Sequence, residues 1–88
     1  MDDPVKLAHK HSSSHLEELA KSLLCGCFFC CATFAPSEIT EWCDDGHTAL
    51  CPICGIDSVI GDASGFPITS PDFLAKMNRH WFQTSVRL

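Results

Sequence analysis

Basic residues are scarce in this sequence. Six Lys and Arg stand against eleven Asp and Glu in 88 residues, which gives a formal net charge of -5. Nonspecific binding to nucleic acid depends on Lys and Arg that neutralise phosphates, and here these residues are scattered from Lys6 to Arg87. The charge therefore disfavours a nucleic-acid-binding protein, although a zinc ribbon that binds nucleic acid stays open as an alternative.

Long apolar runs are also missing. The N-terminus is acidic, and no apolar run follows it that could form the core of a secretory signal. The longest uncharged stretch, residues 22–37, is shorter than the roughly 20 residues of a membrane-spanning helix, and it contains Gly26 and Pro36. We therefore expect neither export nor a membrane span, and we predict a cytoplasmic protein.

The length of the chain points to one small domain that needs a cross-link. A domain of this size buries too little apolar surface to be comfortably stable by packing alone. Seven cysteines are present, and an odd number fits a disulfide framework poorly, whereas paired cysteines in a reducing cytosol usually bind metal. We predict a flexible N-terminal segment over residues 1–13, which adds little to a core, and a single zinc-binding domain over residues 14–88.

Two Cys-x-x-Cys motifs carry the strongest chemical signal. The motifs Cys27 to Cys30 and Cys51 to Cys54 are separated by 20 residues, at the upper edge of the spacing typical of a structural zinc site. Each motif forms a tight turn that directs two sulfurs to one centre, and four such ligands leave no open position for water or substrate. We predict that these four cysteines bind structural Zn²⁺, and that Gly55 takes a positive φ at the end of the second turn.

The three other cysteines leave the ligand set partly open. Cys25 and Cys31 flank the first motif closely enough to replace one of its ligands. Cys43 is interpreted as a small buried hydrophobe. A thiol-redox role for these surplus cysteines is an alternative to a purely structural site.

Histidines offer a second alternative. His11 and His15 have the four-residue spacing of a two-histidine metal clamp, but no nearby carboxylate pair completes it. His47, close to Asp44 and Asp45, suggests a nuclease in which zinc knuckles frame a catalytic histidine. The Asp-His pair and the later Asn and His that such nucleases usually contain are absent. The sequence therefore favours a non-enzymatic module, and a nuclease-like enzyme stays open as the alternative.

Local patterns predict two helices in the first half of the domain. Residues 15–24 have apolar side chains at helical spacing after a capping-box sequence that begins at Ser14, so we predict an amphipathic helix there. Pro36 and Ser37 precede two glutamates, which favours a middle helix over residues 37–43. Carboxylates at and after this helix form an acidic strip that could contact a basic partner: Glu38, Glu41, Asp44 and Asp45.

The second half has strand, loop and helix signals in turn. Residues 47–50 and 58–60 are predicted as the strands of a β-hairpin with the second cysteine pair at its tip. Residues 61–68 are rich in Gly, Ser and Pro and are predicted as a loop. Ser70 and Pro71 then provide a hydroxyl cap and a first-position proline for a C-terminal helix. Its apolar stripe contains Phe73, Leu74, Met77 and Trp81.

Several of these runs resemble a known family. Cys-Gly-Cys-Phe-Phe-Cys at residues 25–30, together with residues 10–12, 34–42 and 48–61, is similar to a family of small uncharacterised bacterial proteins labelled only "cytoplasmic protein". The match extends over most of the chain, from about Lys10 to Phe82. The resemblance implies a cytosolic setting, and it carries over no activity.

The paired knuckles are also similar to zinc ribbons, with the middle helix as an insertion between the two halves. A treble clef with the final helix packed on the site is the alternative. We predict a small α+β metal-bound domain with zinc-ribbon or treble-clef-like knuckles, a short β-hairpin, a middle helix and N- and C-terminal helices. Its predicted function is that of a non-enzymatic structural-zinc module that binds another protein.

Overall fold

The computed structural model describes residues 4–83 and is built from short elements. It has three α-helices and five strands. The helices are α1 (Pro4–His9), α2 (Leu16–Ala20) and α3 (Pro71–Asn78). The strands are β1 (Cys25–Cys27), β2 (Thr33–Phe34), β3 (Trp42–Cys43), β4 (Thr48–Ala49) and β5 (Val59–Gly61). Short 3₁₀ turns lie at Lys10–Ser12, Pro36–Glu38 and Asp62–Ser64, and a π-helical turn at Arg79–Gln83 follows α3.

The strands form two separate antiparallel sheets. A three-stranded sheet has the order β2-β1-β5, and a two-stranded sheet pairs β3 with β4. In the first sheet Cys27 lies opposite Val59, and in the second Trp42 lies opposite Ala49. Together with the helices they make the small α+β domain that the sequence predicts.

The predicted hairpin around the second cysteine pair is wrong in its pairing. Strands do form at both predicted places, but β4 pairs with β3, and β5 pairs with β1. The reason is burial on both faces of β5, because Val59 packs in the cluster with the paired cysteines and Ile60 in the cluster with α3. Only a position between the two clusters buries both side chains.

The predicted middle helix over residues 37–43 is also wrong. Pro36–Glu38 is one 3₁₀ turn, and the chain is extended again at Ile39, with φ -75° and ψ 123°. Glu38 accepts a hydrogen bond from the backbone N–H of Ala35 at 2.9 Å, so its carboxylate stabilises this single turn. β-branched and aromatic residues favour the strand that follows, and pairing with β4 decides the outcome. The acidic residues therefore do not share a helix face.

Helix α2 (Leu16–Ala20) is shorter than the amphipathic helix predicted over residues 15–24. The backbone N–H groups of Leu23 and Leu24 donate to the Asp62 carboxylate, at 3.0 and 3.2 Å, instead of continuing the helix. Its predicted cap is replaced as well, since Ser14 has a positive φ of 49° and its N–H donates to Thr48 Oγ1 at 2.8 Å. Both ends of α2 are set by tertiary hydrogen bonds.

The core consists of two clusters on either side of the β1-β5 pair. The first surrounds α3 and contains Val5, Ala8, Phe28, Ile60, Ile68, Phe73, Leu74 and Met77. The second contains Leu19, Cys25, Cys27, Phe34, Ile39, Ala49, Cys51 and Val59. The predicted C-terminal helix is confirmed with its cap, because Ser70 Oγ accepts from Phe73 N at 3.4 Å and Pro71 is at the first position.

The N-terminal segment contributes more to the core than the sequence predicts. Val5 and Ala8 on α1 are buried, and Trp81 Nε1 donates to the Val5 carbonyl at 3.2 Å. The prediction that this segment adds little to a core is therefore wrong for residues 4–12, whereas its flexibility stays a prediction, and residues 1–3 lie outside the described residues. Within residues 4–83, no helix has the length and apolar character needed to cross a membrane.

Candidate metal centre

The four cysteines of the two Cys-x-x-Cys motifs meet at one point. All four Sγ atoms lie within 4.8 Å of one another. Cys27 Sγ is 3.6 Å from Cys54 Sγ, and Cys30 Sγ is 3.7 Å from Cys51 Sγ. Among residues 4–83 this is the one cluster of metal-ligating side chains.

The spacing of the sulfurs fits a single tetrahedral ion. With metal–sulfur bonds of about 2.3 Å, the sulfurs of a regular tetrahedron are about 3.8 Å apart. The two measured separations, 3.6 and 3.7 Å, are close to this value. A set of four thiolates suits zinc or iron among the common metals. The four cysteines could therefore hold one metal ion.

The turn that carries Cys27 and Cys30 is called the first knuckle, and it follows β1. Its closing hydrogen bonds run from Cys31 N to the Cys27 carbonyl at 2.7 Å and from Cys27 N to the Ala32 carbonyl at 2.9 Å. The Phe29 N–H points at Cys27 Sγ, at 3.4 Å. These contacts fold the chain around the Cys27 sulfur.

The second knuckle repeats this pattern at the corresponding residues. Gly55 N donates to the Cys51 carbonyl at 2.9 Å, and Cys51 N donates to the Ile56 carbonyl at 3.0 Å. The N–H groups of Ile53 and Cys54 both point at Cys51 Sγ, at 3.4 Å. Gly55 has φ +80°, which confirms its predicted conformation, and Cys31 takes the matching place in the first knuckle with φ +64°.

Burial divides the four sulfurs into two pairs. Cys27 and Cys51, the first cysteine of each motif, are 0% and 3% exposed. Cys30 and Cys54, the second of each motif, are half-buried. A metal held here would have one face in the core and one face towards solvent.

The thiols differ in how readily they ionise before a metal binds. Burial raises the pKa of Cys30 to about 11 and also raises the pKa of Cys54. Burial acts in the same direction on Cys51, but hydrogen bonds from the N–H groups of Cys54 and Ile53 and from neighbouring thiols outweigh it and lower the pKa of Cys51. Metal binding must therefore displace protons from the Cys30 and Cys54 thiols, which makes affinity fall as pH falls.

Two residues that the sequence analysis missed hold the first knuckle in place. Asn78 on α3 donates through Nδ2 to the carbonyls of Phe28 and Phe29, at 3.1 and 2.8 Å. The Ser58 hydroxyl oxygen lies 3.3 Å from Cys27 Sγ, and the Ser58 carbonyl accepts a hydrogen bond from Phe28 N at 3.1 Å. Neither residue has a sequence spacing that could reveal this contact, since Asn78 is far along the chain and Ser58 belongs to no motif.

The surplus cysteines lie outside the four-sulfur cluster. Cys25 is fully buried in β1, and burial together with the charge of Asp62 raises its pKa to about 12. Cys31 is exposed, and Cys43 is half-buried on β3.

The two N-terminal histidines have structural partners. His15 is 3% exposed, its Nδ1 donates to the His11 carbonyl at 2.7 Å, and its Nε2 accepts from Ala49 N at 2.9 Å. Burial lowers the pKa of His15, so the neutral form is favoured. His11 pairs with Glu18 at 3.0 Å. Both rings of the possible metal clamp are therefore engaged elsewhere.

His47 lies away from the sulfurs. Its side chain is exposed and lines an open polar cleft of about 550 Å³ between the N-terminal segment and α2. Asp44, which the nuclease hypothesis placed beside it, accepts a hydrogen bond from Thr48 Oγ1 at 2.9 Å. The structure does not group His47 with the four cysteines, whose sulfurs alone form the cluster.

Comparison with known proteins does not assign the chain to a family. No protein-family model, no curated protein and no solved structure matches it. The resemblance to a bacterial family therefore stays a prediction, and the functional argument depends on the metal centre itself.

Proposed function

We propose that this protein is a non-enzymatic module in which Cys27, Cys30, Cys51 and Cys54 hold one structural Zn²⁺. The observation that carries the proposal is the spacing of the four Sγ atoms, all within 4.8 Å and close to a tetrahedron on two edges. A complete set of protein ligands leaves no place for a substrate or a reactive water. The metal would act on folding and not on catalysis.

The size of the domain explains why such a site is needed. Both clusters are small, and the second one contains Cys27 and Cys51, with Cys30 and Cys54 packed against it. Structural zinc in small peptides contributes on the order of 10–16 kcal/mol, which matches or exceeds the roughly 5–15 kcal/mol net stability of a whole domain. Loss of the metal is expected to unfold this part of the core.

The arrangement of the knuckles favours a ribbon-like architecture over a treble clef. The first knuckle connects β1 to β2, and the second lies between β4 and β5. Helix α3 contacts the first knuckle through Asn78, as the treble-clef alternative expects, but both ligand pairs lie on turns between strands, and α3 begins only at Pro71. This comparison supports the zinc-ribbon hypothesis.

We further propose that the partner is another protein and that the setting is the cytoplasm. Both knuckles carry an exposed apolar side chain at the residue before their second cysteine, with Phe29 42% and Ile53 62% exposed. The net charge of -5 makes a polyanionic partner unfavourable. Apolar side chains presented on a rigid metal-bound turn suit a protein surface. Within residues 4–83, no specific observation favours the enzyme or nucleic-acid alternatives.

Metal analysis of purified protein tests the zinc assignment. We expect one zinc per chain in the wild type and in Cys31→Ser, the matched control that removes a thiol beside the site. Cys27→Ser and Cys51→Ser should lose the metal and most of the far-UV circular dichroism signal. A protein that folds without metal would refute the proposal, and one iron per chain would refute the choice of zinc.

A pull-down from bacterial lysate tests whether the second knuckle binds a partner protein. Ile53→Glu is the interface variant, and Lys76→Glu, on the exposed face of α3, is the control. Capture of the same protein by wild type and control but not by Ile53→Glu supports a knuckle interface. Equal capture by all three would refute that interface.

A further inference from the structure

The two knuckles differ in the donors that surround their buried sulfurs, Cys27 Sγ and Cys51 Sγ. Ser58 Oγ lies 3.3 Å from Cys27 Sγ, and Ser58 is 1% exposed. In residues 4–83, no other hydroxyl is within hydrogen-bond distance of the four sulfurs. Cys51, the equivalent buried cysteine, has only backbone N–H groups and neighbouring thiols around its sulfur. The four-sulfur site is therefore asymmetric despite its repeated backbone.

The direction of the Ser58 hydrogen bond follows from the chemistry of a metal ligand. A cysteine binds a metal as thiolate, which has no proton to donate. The Ser58 hydroxyl must then donate and the Cys27 sulfur must accept. Such a bond withdraws charge from one sulfur and orients it towards the metal.

The backbone holds Ser58 in position for this role. Its carbonyl accepts from Phe28 N at 3.1 Å, and the next residue, Val59, pairs with Cys27 in the sheet. Ser58 thus contacts the first knuckle through both its main chain and its side chain, although it follows the second knuckle along the chain. It connects the two halves of the site.

We propose that Ser58 is a positioning residue that makes Cys27 the anchoring ligand of the metal. Loss of the metal begins at Cys30 and Cys54 because they are half-buried, and the hydrogen bond lowers the nucleophilicity of the Cys27 sulfur, so Cys27 is the last ligand to leave. This inference rests on the proposed metal site. Cys51 is the internal comparison, because it is nearly as buried as Cys27 and has a second backbone N–H donor, from Cys54, where Cys27 has the Ser58 hydroxyl.

Alkylation of the zinc-loaded protein with iodoacetamide tests the order of reaction. In each event a sulfur lone pair forms the S–C bond, iodide leaves and the zinc–sulfur bond breaks. Cys31 and Cys43 lie outside the four-sulfur cluster, and their modification is counted separately. Among the four ligands, mass spectrometry of digested samples should show Cys30 and Cys54 modified first, then Cys51, and Cys27 last. If Cys27 in the wild type reacts as early as Cys51, the proposal is refuted without any variant.

Ser58→Ala should weaken zinc affinity by about tenfold, the lower end of what loss of a hydrogen-bonded partner of a ligand costs. It should also raise the alkylation rate of Cys27 to at least that of Cys51, because Cys27 then keeps one N–H donor and Cys51 keeps two. Ser22→Ala is the matched control, since Ser22 is a buried serine that donates to Glu18 O at 2.9 Å and contacts no sulfur.

Two outcomes separate the proposals. Wild-type protein without metal would refute the structural-zinc function and this inference with it. Zinc-loaded wild type with unchanged affinity and alkylation order in Ser58→Ala would refute this inference alone.

Discussion

The first and second knuckles share their backbone hydrogen bonds, yet they are stabilised in different ways. The second ends in Gly55, whose φ of +80° suits a residue without a side chain. The first ends in Cys31, an L-residue held at φ +64°. It is supported instead by Asn78 from α3 and by Ser58 from the chain before β5.

The difference teaches how the same turn arises from local and from tertiary causes. The sequence of the second knuckle favours its own conformation. A distant residue stabilises it through β4, where His15 Nε2 accepts a hydrogen bond from Ala49 N. The first knuckle carries a conformational cost at Cys31, and contacts from distant residues offset it. The experiments below test this comparison in order of decreasing expected effect.

Removal of the metal should abolish the difference between the two knuckles, because both should lose their folded conformation. Because two sulfurs of each knuckle share one ion, a strong chelator should melt both turns together and expose the second core cluster. Circular dichroism and amide NMR spectra with and without chelator measure this. Retention of one knuckle with its slow amide exchange would show that the turns are independent of each other.

Asn78→Ala should weaken the first knuckle selectively. Two carbonyls, of Phe28 and Phe29, lose their donor, which costs about 1–3 kcal/mol in the free energy of unfolding. Urea unfolding of the zinc-loaded protein measures the loss, with Lys76→Ala on the exposed face of α3 as control. Amide exchange should accelerate at Cys31 and stay unchanged at Gly55, and faster exchange at both would contradict a selective effect.

Acid should weaken the support of the second knuckle. Burial lowers the pKa of His15 in the folded protein below the ordinary value near 6.5, so the unfolded chain binds more protons between these values. The contribution of His15 to the free energy of unfolding is complete above about pH 6.5, and it is lost as the pH falls towards the lower folded-state pKa.

His15→Gln keeps a donor and an acceptor without titrating in this range. In excess zinc, its urea-unfolding free energy should fall less between pH 7.5 and pH 5.5 than that of the wild type. Since both proteins have the same cysteines, the difference between the two curves isolates His15. Parallel curves would show that His15 does not carry this dependence.

Exchanging the residues that end the knuckles should give the smallest effects, with opposite signs. A side chain at Gly55 meets nothing within 4 Å, so Gly55→Ala should cost about 1 kcal/mol through the positive φ alone. Cys31→Gly should stabilise by about 0.5–1 kcal/mol, because it removes the same strain less the added entropy of glycine in the unfolded chain. Urea unfolding of both zinc-loaded variants measures the pair, and changes of equal sign would contradict the comparison.

Sequence patterns predict the elements whose causes are local. The turn of each Cys-x-x-Cys motif depends on its own spacing, and the φ of Gly55 depends on the glycine itself. The start of α3 follows from a serine cap and a proline, Ser70 and Pro71. Each of these features is complete within a few residues, and each is present in the structure.

Patterns fail where a distant residue competes with a local preference. Glutamates after Ser37 favour a helix, but pairing of β3 with β4 produces a strand. The end of α2 depends on the Asp62 carboxylate, and α1 is buried because α3 and Trp81 pack on it. Such partners lie far away in sequence, so no window of neighbouring residues contains them.

By itself, the sequence determined that two Cys-x-x-Cys motifs could bind a metal, because motif spacing directs each pair of sulfurs to one point, and the structure then placed Cys25 and Cys31 outside the cluster. Only the tertiary structure decided how the knuckles are joined, since the pairing of β5 with β1 depends on burying Val59 and Ile60 in different clusters. It also placed Ser58 against Cys27 and Asn78 against the first knuckle. Hydrogen bonds between residues remote in sequence form only when the chain has folded, and they make two similar turns unequal.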